Sequence, residues 1–221
     1  MTRTAPGTRL GALRRPLATL LLAAALTTSL SGCVGMLVGG AMVGTTFAMS
    51  DRRTLGAQTE DKAIAVKGDL RLPHIVGDAG HVNVNSFNRR VLLTGEVRDE
   101  AMKAAVQAEM AGVAGVKSVA NELQIAGPSS FTSRSNDTLI TTKVKASLID
   151  MRDISANSFK VVTENGVVYL MGRVTQREGN IASDVARGVG GVQKVVKLFE
   201  YINDQDLQQM QSEPAPSSAT Y

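Results

Sequence analysis

The sequence predicts an α+β protein that repeats one small unit twice, and three observations carry that expectation. A strand signature ending in glycine occurs at Val91-Leu92-Leu93-Thr94-Gly95-Glu96-Val97 and again, 77 residues on, at Val168-Tyr169-Leu170-Met171-Gly172-Arg173-Val174. Each copy continues through helical sequence to a second signature, Gly115-Val116-Lys117-Ser118-Val119 and Gly191-Val192-Gln193-Lys194-Val195, now offset by 76. The apolar periodicity switches between the steps of three and four of a helix and the β-branched runs of strands. Self-similarity at a fixed spacing marks a repeated supersecondary unit.

Ahead of the repeats, Arg3, Arg9, Arg14 and Arg15 precede an apolar run over residues 17–26, and small polar residues then lead to Cys33. This is the order of a secretory signal. Leu30-Ser31-Gly32-Cys33 resembles the bacterial lipobox, whose small residues fit the lipoprotein signal peptidase and whose thiol accepts a diacylglyceryl group. The expectation is a signal peptide over residues 1–32, lipidation of Cys33 as the mature N-terminus, and a glycine-rich tether over 33–58. Cys33 is the only cysteine, which rules out an intrachain disulfide. Residues 34–50 are too few to span a bilayer comfortably. Val34, not an acidic residue, follows the cysteine, which among lipoproteins implies transfer to the outer membrane. Cys33→Ala is expected to leave an unlipidated precursor, checked by mass spectrometry of the N-terminus.

The first copy, residues 59–127, reads as a helix over 61–70, strands over 82–87 and 90–94, a helix over 99–111 and a strand over 119–125. Gly127-Pro128-Ser129-Ser130 opens a linker over 128–135. In the second copy, residues 136–204, Asn136 or Asp137 caps a helix with Ile140, Val144 and Leu148 on one face. Strands over 158–163 and 167–171 flank Glu164-Asn165-Gly166, where Asn-Gly supplies the positive φ angles of a tight hairpin. Thr175 and Glu178 have capping-box spacing and open a helix that turns Ile181, Ala182, Val185 and Ala186 inward and ends near Gly188, before a last strand over 195–201. The order is αββαβ twice, each unit a three-stranded mixed sheet with two helices on one face. Residues 205–221, rich in Gln, Pro and Ser, read as a disordered tail.

The pI near 9.4 invites a nucleic-acid reading, but the excess charge sits in the leader. Removing its four arginines from 24 Lys and Arg leaves 20 against 20 Asp and Glu, so the mature chain has no surplus with which to neutralise phosphates. Catalytic constellations are equally missing. His74 and His81 stand seven apart with no cysteine or carboxylate cluster for a metal. There is no Gly-x-Ser-x-Gly elbow, Walker motif or complete GxGxxG. Asp99 and Glu100 read as helix-start residues that meet the macrodipole. No cofactor, metal, small-molecule substrate or enzymatic activity is expected.

The repeated Leu-x-Gly-x-Val followed by Gly-Val-x-x-Val resembles the BON domain. Asn136-Asp137-Thr138, Ile140-Thr141-Thr142-Lys143-Val144 and Val162-Thr163-Glu164-Asn165-Gly166 strengthen the likeness, and all but the tail is similar to dual BON-domain outer-membrane lipoproteins. The resemblance implies binding of anionic phospholipid through the second domain, accumulation at division sites, support of envelope integrity, and attachment at the periplasmic face of the outer membrane. The alternative is a periplasmic adaptor for envelope assembly or stress factors. On the helix over 137–149, Ile140, Val144 and Leu148 take the core. This leaves Leu139, Thr142, Lys143, Ala146 and Ile149 on another stripe, with Lys145 near its edge, where apolar and basic groups can meet a bilayer together.

Overall fold

The computed structural model describes residues 51–212. The expected signal peptide, Cys33, most of the tether and the end of the tail lie outside the described residues. The first copy comprises α1 (Leu55–Arg71), the short α2 (Pro73–Val76), β1 (His81–Phe87), β2 (Arg90–Val97), α3 (Glu100–Ala111), β3 (Ser118–Asn121) and β4 (Gln124–Ile125). The second comprises α4 (Phe131–Ile149), β5 (Phe159–Glu164), β6 (Val167–Val174), α5 (Gln176–Arg187) and β7 (Lys194–Tyr201), and α6 (Asp204–Ser212) follows.

In each copy a hairpin pairs two antiparallel strands, and a helical crossover returns a third strand parallel to the second. The central strands are therefore β2 and β6. The αββαβ order and mixed sheets are those the sequence predicts. Asn165 and Gly166 do take positive φ in the second hairpin (49° and 74°), and Asn88 and Arg89 (50° and 65°) do so in the first. Thr175 and Glu178 form the reciprocal capping box.

Several boundaries differ, each for a local reason. The first helix of the second copy begins at Phe131, inside the expected linker, because the Ser130 hydroxyl accepts from the Ser133 N–H at 3.1 Å. Asp137 is thus not a cap but a buried residue inside that helix. Likewise α1 starts at Leu55, capped by Thr54. Part of the expected disordered tail is helical, since Asn203 accepts from the Asp206 N–H at 2.7 Å and Asp204 and Asp206 lie in the positive first turn of α6. The strands β2 and β6 continue through Gly95 and Gly172 to Val97 and Val174 instead of ending before them. In the first copy Gly95 has φ of 114°, and the ladder lapses opposite it at Glu122 and Leu123, dividing the last strand into β3 and β4. Gly172 keeps extended backbone, and β7 runs unbroken.

Each copy has its own core under its helices: Ile64, Val91, Leu93, Val106 and Met110 in the first, and Ile140, Val144, Leu148, Val168 and Leu170 in the second. Side chains alternate across a strand, so Leu92, Tyr169 and Met171 project from the opposite sheet faces. They join Phe87 in a third cluster between the domains. The result is a stack of helices, sheet, sheet, helices, with α1 and α4 in opposite outer layers. Burial first, then the charges of Glu122 and Glu164, pushes the Tyr169 hydroxyl up to about 12.

Polar contacts around this cluster recur in pairs. Asn165 of the second hairpin turn donates to Glu96 of the first domain at 2.6 Å, and its counterpart Asn88 donates to Glu200 of the second at 2.6 Å. Asn83 on β1 donates to Glu164 at 2.8 Å, while Lys160, in the matching position of β5, donates to the Ser86 carbonyl at 3.2 Å. The donors of each pair are equivalent residues of the two copies reaching in opposite directions, while their acceptors are not equivalent, so the copies face each other without repeating contact for contact.

Candidate functional site

The candidate site is the outer face of α4, and its composition follows from what the inner face consumes. Ile140, Val144 and Leu148 are each at most 1% exposed and hold the helix on its sheet. Asp137, the only acid on α4, is buried on the same side, where its carboxylate accepts from the Asn165 N–H at 2.9 Å and the Gly166 N–H at 2.8 Å. The amide donors of a positive-φ turn are thereby satisfied, and the helix has no negative charge left for its outer side.

That outer side carries the sequence-expected residues Leu139, Thr142, Lys143, Ala146 and Ile149, with Lys145 at one border, all exposed. Leu139 is 59% and Ile149 69% exposed. Because α4 begins earlier than expected, it also brings Phe131, 79% exposed, onto the same face two turns before Leu139. Sequence reasoning missed Phe131 by placing it in a linker. The signal that finds it is the Ser130 cap. Thr138 and Thr142 donate their hydroxyls to the carbonyls of Arg134 and Thr138, at 3.0 and 2.9 Å, which leaves their methyl groups to the surface. Aliphatic and aromatic groups bordered by lysines, with no exposed acid between them, can contact an apolar and anionic surface together.

The structure brings His74 and His81 into no metal-binding group, and among the described residues no cluster of three or more His, Cys, Asp or Glu could hold a metal ion. Nor, among the described residues, is any helix long and apolar enough to cross a membrane.

The family model described as the BON domain matches twice, over residues 65–127 and 136–203. The chain belongs to the BON-domain family. Its two BON domains coincide with the two αββαβ copies, and the chain is a dual-BON protein similar to DolP. The outer membrane lipoprotein DolP of Haemophilus influenzae is 37% identical over 190 residues, 85% of this chain and 98% of that protein. A 21 kDa hemolysin of Actinobacillus pleuropneumoniae is 31% identical over 69% of this chain and 79% of its own length. The osmotically-inducible protein Y of Escherichia coli is 30% identical over 66% of this chain and 75% of its own. The matching extends past both BON domains into the N-terminal region in the first case, since 190 residues exceed the described span.

The two BON domains differ at the candidate face. Positions 76 residues before Phe131, Leu139, Thr142, Lys143 and Ala146 are Leu55, Ala63, Val66, Lys67 and Leu70. The first BON domain therefore also has an exposed apolar strip on its first helix, but Asp69 stands where the second has Lys145.

Proposed function

We propose that this protein is a non-enzymatic envelope lipoprotein, held at the periplasmic face of the outer membrane by a lipid on Cys33, whose second BON domain docks on anionic phospholipid through α4. The observation that carries this reading is the outer face of α4: Phe131, Leu139 and Ile149 exposed beside Lys143 and Lys145, with the helix's one acid buried. The likeness to a protein named as an outer membrane lipoprotein supports the location. Each lysine near an anionic surface contributes about 1 kcal/mol and an inserted leucine about 1.5 to 3. The contact is weak by itself, and a lipid anchor raises its effective concentration. The envelope-integrity and division-site roles implied by the family belong to the same proposal.

Leu139→Glu with Lys143→Glu is expected to abolish salt-sensitive flotation of residues 50–221 on phosphatidylglycerol vesicles while circular dichroism stays native. That fragment contains every residue of both cores. Equal flotation of variant and parent, or none by the parent, would overturn the membrane reading. The adaptor reading has its own observation: Leu55, Val66 and Leu70 are exposed on α1, in the layer facing away from α4, where a periplasmic protein would find them when α4 lies on the bilayer.

A further inference from the structure

Adjacent arginines at the point where the chain enters the folded body divide between the two domains. Arg53 turns to the first: its guanidinium donates to Asp61 at 2.8 Å and lies 4.1 Å over the Phe87 ring. Arg52 turns to the second, donating to both carboxylate oxygens of Glu178 at 2.8 and 2.6 Å and to the Arg173 carbonyl at 3.0 Å. Arg173 answers by donating to the Arg52 carbonyl at 3.2 Å. Both partners of the Arg52–Glu178 pair are 10% exposed, and the two-pronged geometry fixes direction as well as distance. Glu178 belongs to α5, in the same outer layer as α4, and the cleft around Arg52 is also lined by Arg152, Asp153 and Ser155 of the loop that follows α4.

We propose that Arg52 is a positioning residue that joins the N-terminal segment to the second BON domain, beside the end of α4, so that an N-terminal anchor draws α4 and not α1 onto the bilayer. The proposal rests on the membrane reading of α4. Thr54 caps α1 of the first domain, and the Arg52 contacts tie this same entry point to the second domain.

The test uses the full lipidated chain in vesicles of phosphatidylethanolamine and phosphatidylglycerol, with a fluorophore on Ser135→Cys in the α4 face or on Val66→Cys in α1. The readout is quenching by a nitroxide-bearing lipid. The parent is expected to be quenched strongly at 135 and weakly at 66. Arg52→Ala should lose most of that difference. Glu178→Gln, which keeps an acceptor for the Thr175 N–H, should lose part of it, and Arg52→Lys should restore part of what alanine removes. Fragment 50–221 carrying Arg52→Ala should keep the parent's circular dichroism and salt-sensitive flotation, which a merely structural role would not allow. A floating parent fragment combined with unchanged quenching in both Arg52→Ala and Glu178→Gln overturns the positioning role alone. Loss of flotation by the Arg52→Ala fragment overturns it too, by showing that the contact serves folding. A parent fragment that does not float removes the membrane reading and this proposal together.

Discussion

Replacing Asp61 with alanine should destabilise the folded body by about 3 to 5 kcal/mol, the cost of breaking a buried, hydrogen-bonded ion pair. Its carboxylate, 3% exposed, accepts from the Ser86 hydroxyl at 2.6 Å, the Asn88 and Arg89 N–H groups at 2.7 Å each, and the Arg53 guanidinium at 2.8 Å. Alanine would leave two turn amides and the Ser86 hydroxyl without their acceptor and would take one of the two carboxylates that pair with Arg53, the other being Asp51. Asp137→Ala removes the same kind of turn anchor but no arginine partner, and should cost less, about 2 to 3 kcal/mol. Burial opposes ionisation of Asp61, but the bonds from Ser86, Arg89, Arg53 and Asn88 outweigh it and hold the carboxyl below its usual value. Burial likewise opposes ionisation of Glu178, and Arg52 and the Thr175 N–H outweigh it. Both folded values lie below the unfolded ones. The stability they contribute is therefore complete above the unfolded values of about 4 and is lost as the pH falls through the folded values. Urea midpoints should hold from neutral pH to about 5 and decline below about 4. Asp61→Asn should soften that decline, and a parent-like midpoint in Asp61→Ala would contradict the account.

Gly95→Val is the other change with a large expected effect, about 3 kcal/mol or more. A Cβ there would stand 2.0 Å from the His81 carbonyl oxygen on the paired strand, and φ of 114° is a conformation that side-chain-bearing residues rarely adopt. The clash is with backbone, which cannot swing aside, so Gly95→Ala should be almost as damaging as valine. At Gly172 a Cβ would lie 2.6 Å from the Ser158 carbonyl oxygen, but φ is not reversed. Gly172→Val should therefore cost less, about 1 to 3 kcal/mol. Chemical denaturation of the three variants checks the order, and an undamaged Gly95→Ala would refute the explanation.

Much of the site was legible because α4 obeys helical spacing: Ile140, Val144 and Leu148 inward places Leu139, Thr142, Lys143, Ala146 and Ile149 elsewhere by geometry alone. Phe131 escaped because the Gly-Pro-Ser-Ser stretch reads as a linker, and a serine cap and a linker serine look alike until the helix after them is known. Asp137 was misassigned for a related reason. An aspartate ahead of an apolar stripe has the sequence appearance of an N-cap, while its actual partners lie 28 and 29 residues away in a hairpin turn.

Repeat, element order and hairpin turns follow from interactions among near neighbours in the chain, namely apolar periodicity, Asn-Gly turn chemistry and a Thr-x-x-Glu capping box, and such interactions leave a pattern in the order of residues. The run Val91-Leu92-Leu93 even carries a hint that β2 is covered on both faces, since a strand with one wet face alternates instead. What covers the second face is another matter. The Phe87, Leu92, Tyr169 and Met171 cluster, the paired contacts of Asn88 and Asn165, and the reach of Arg52 across 126 positions to Glu178 join residues whose separation follows no period. They depend on the two finished sheets meeting face to face, and the choice of partner is made by shape and charge across that boundary.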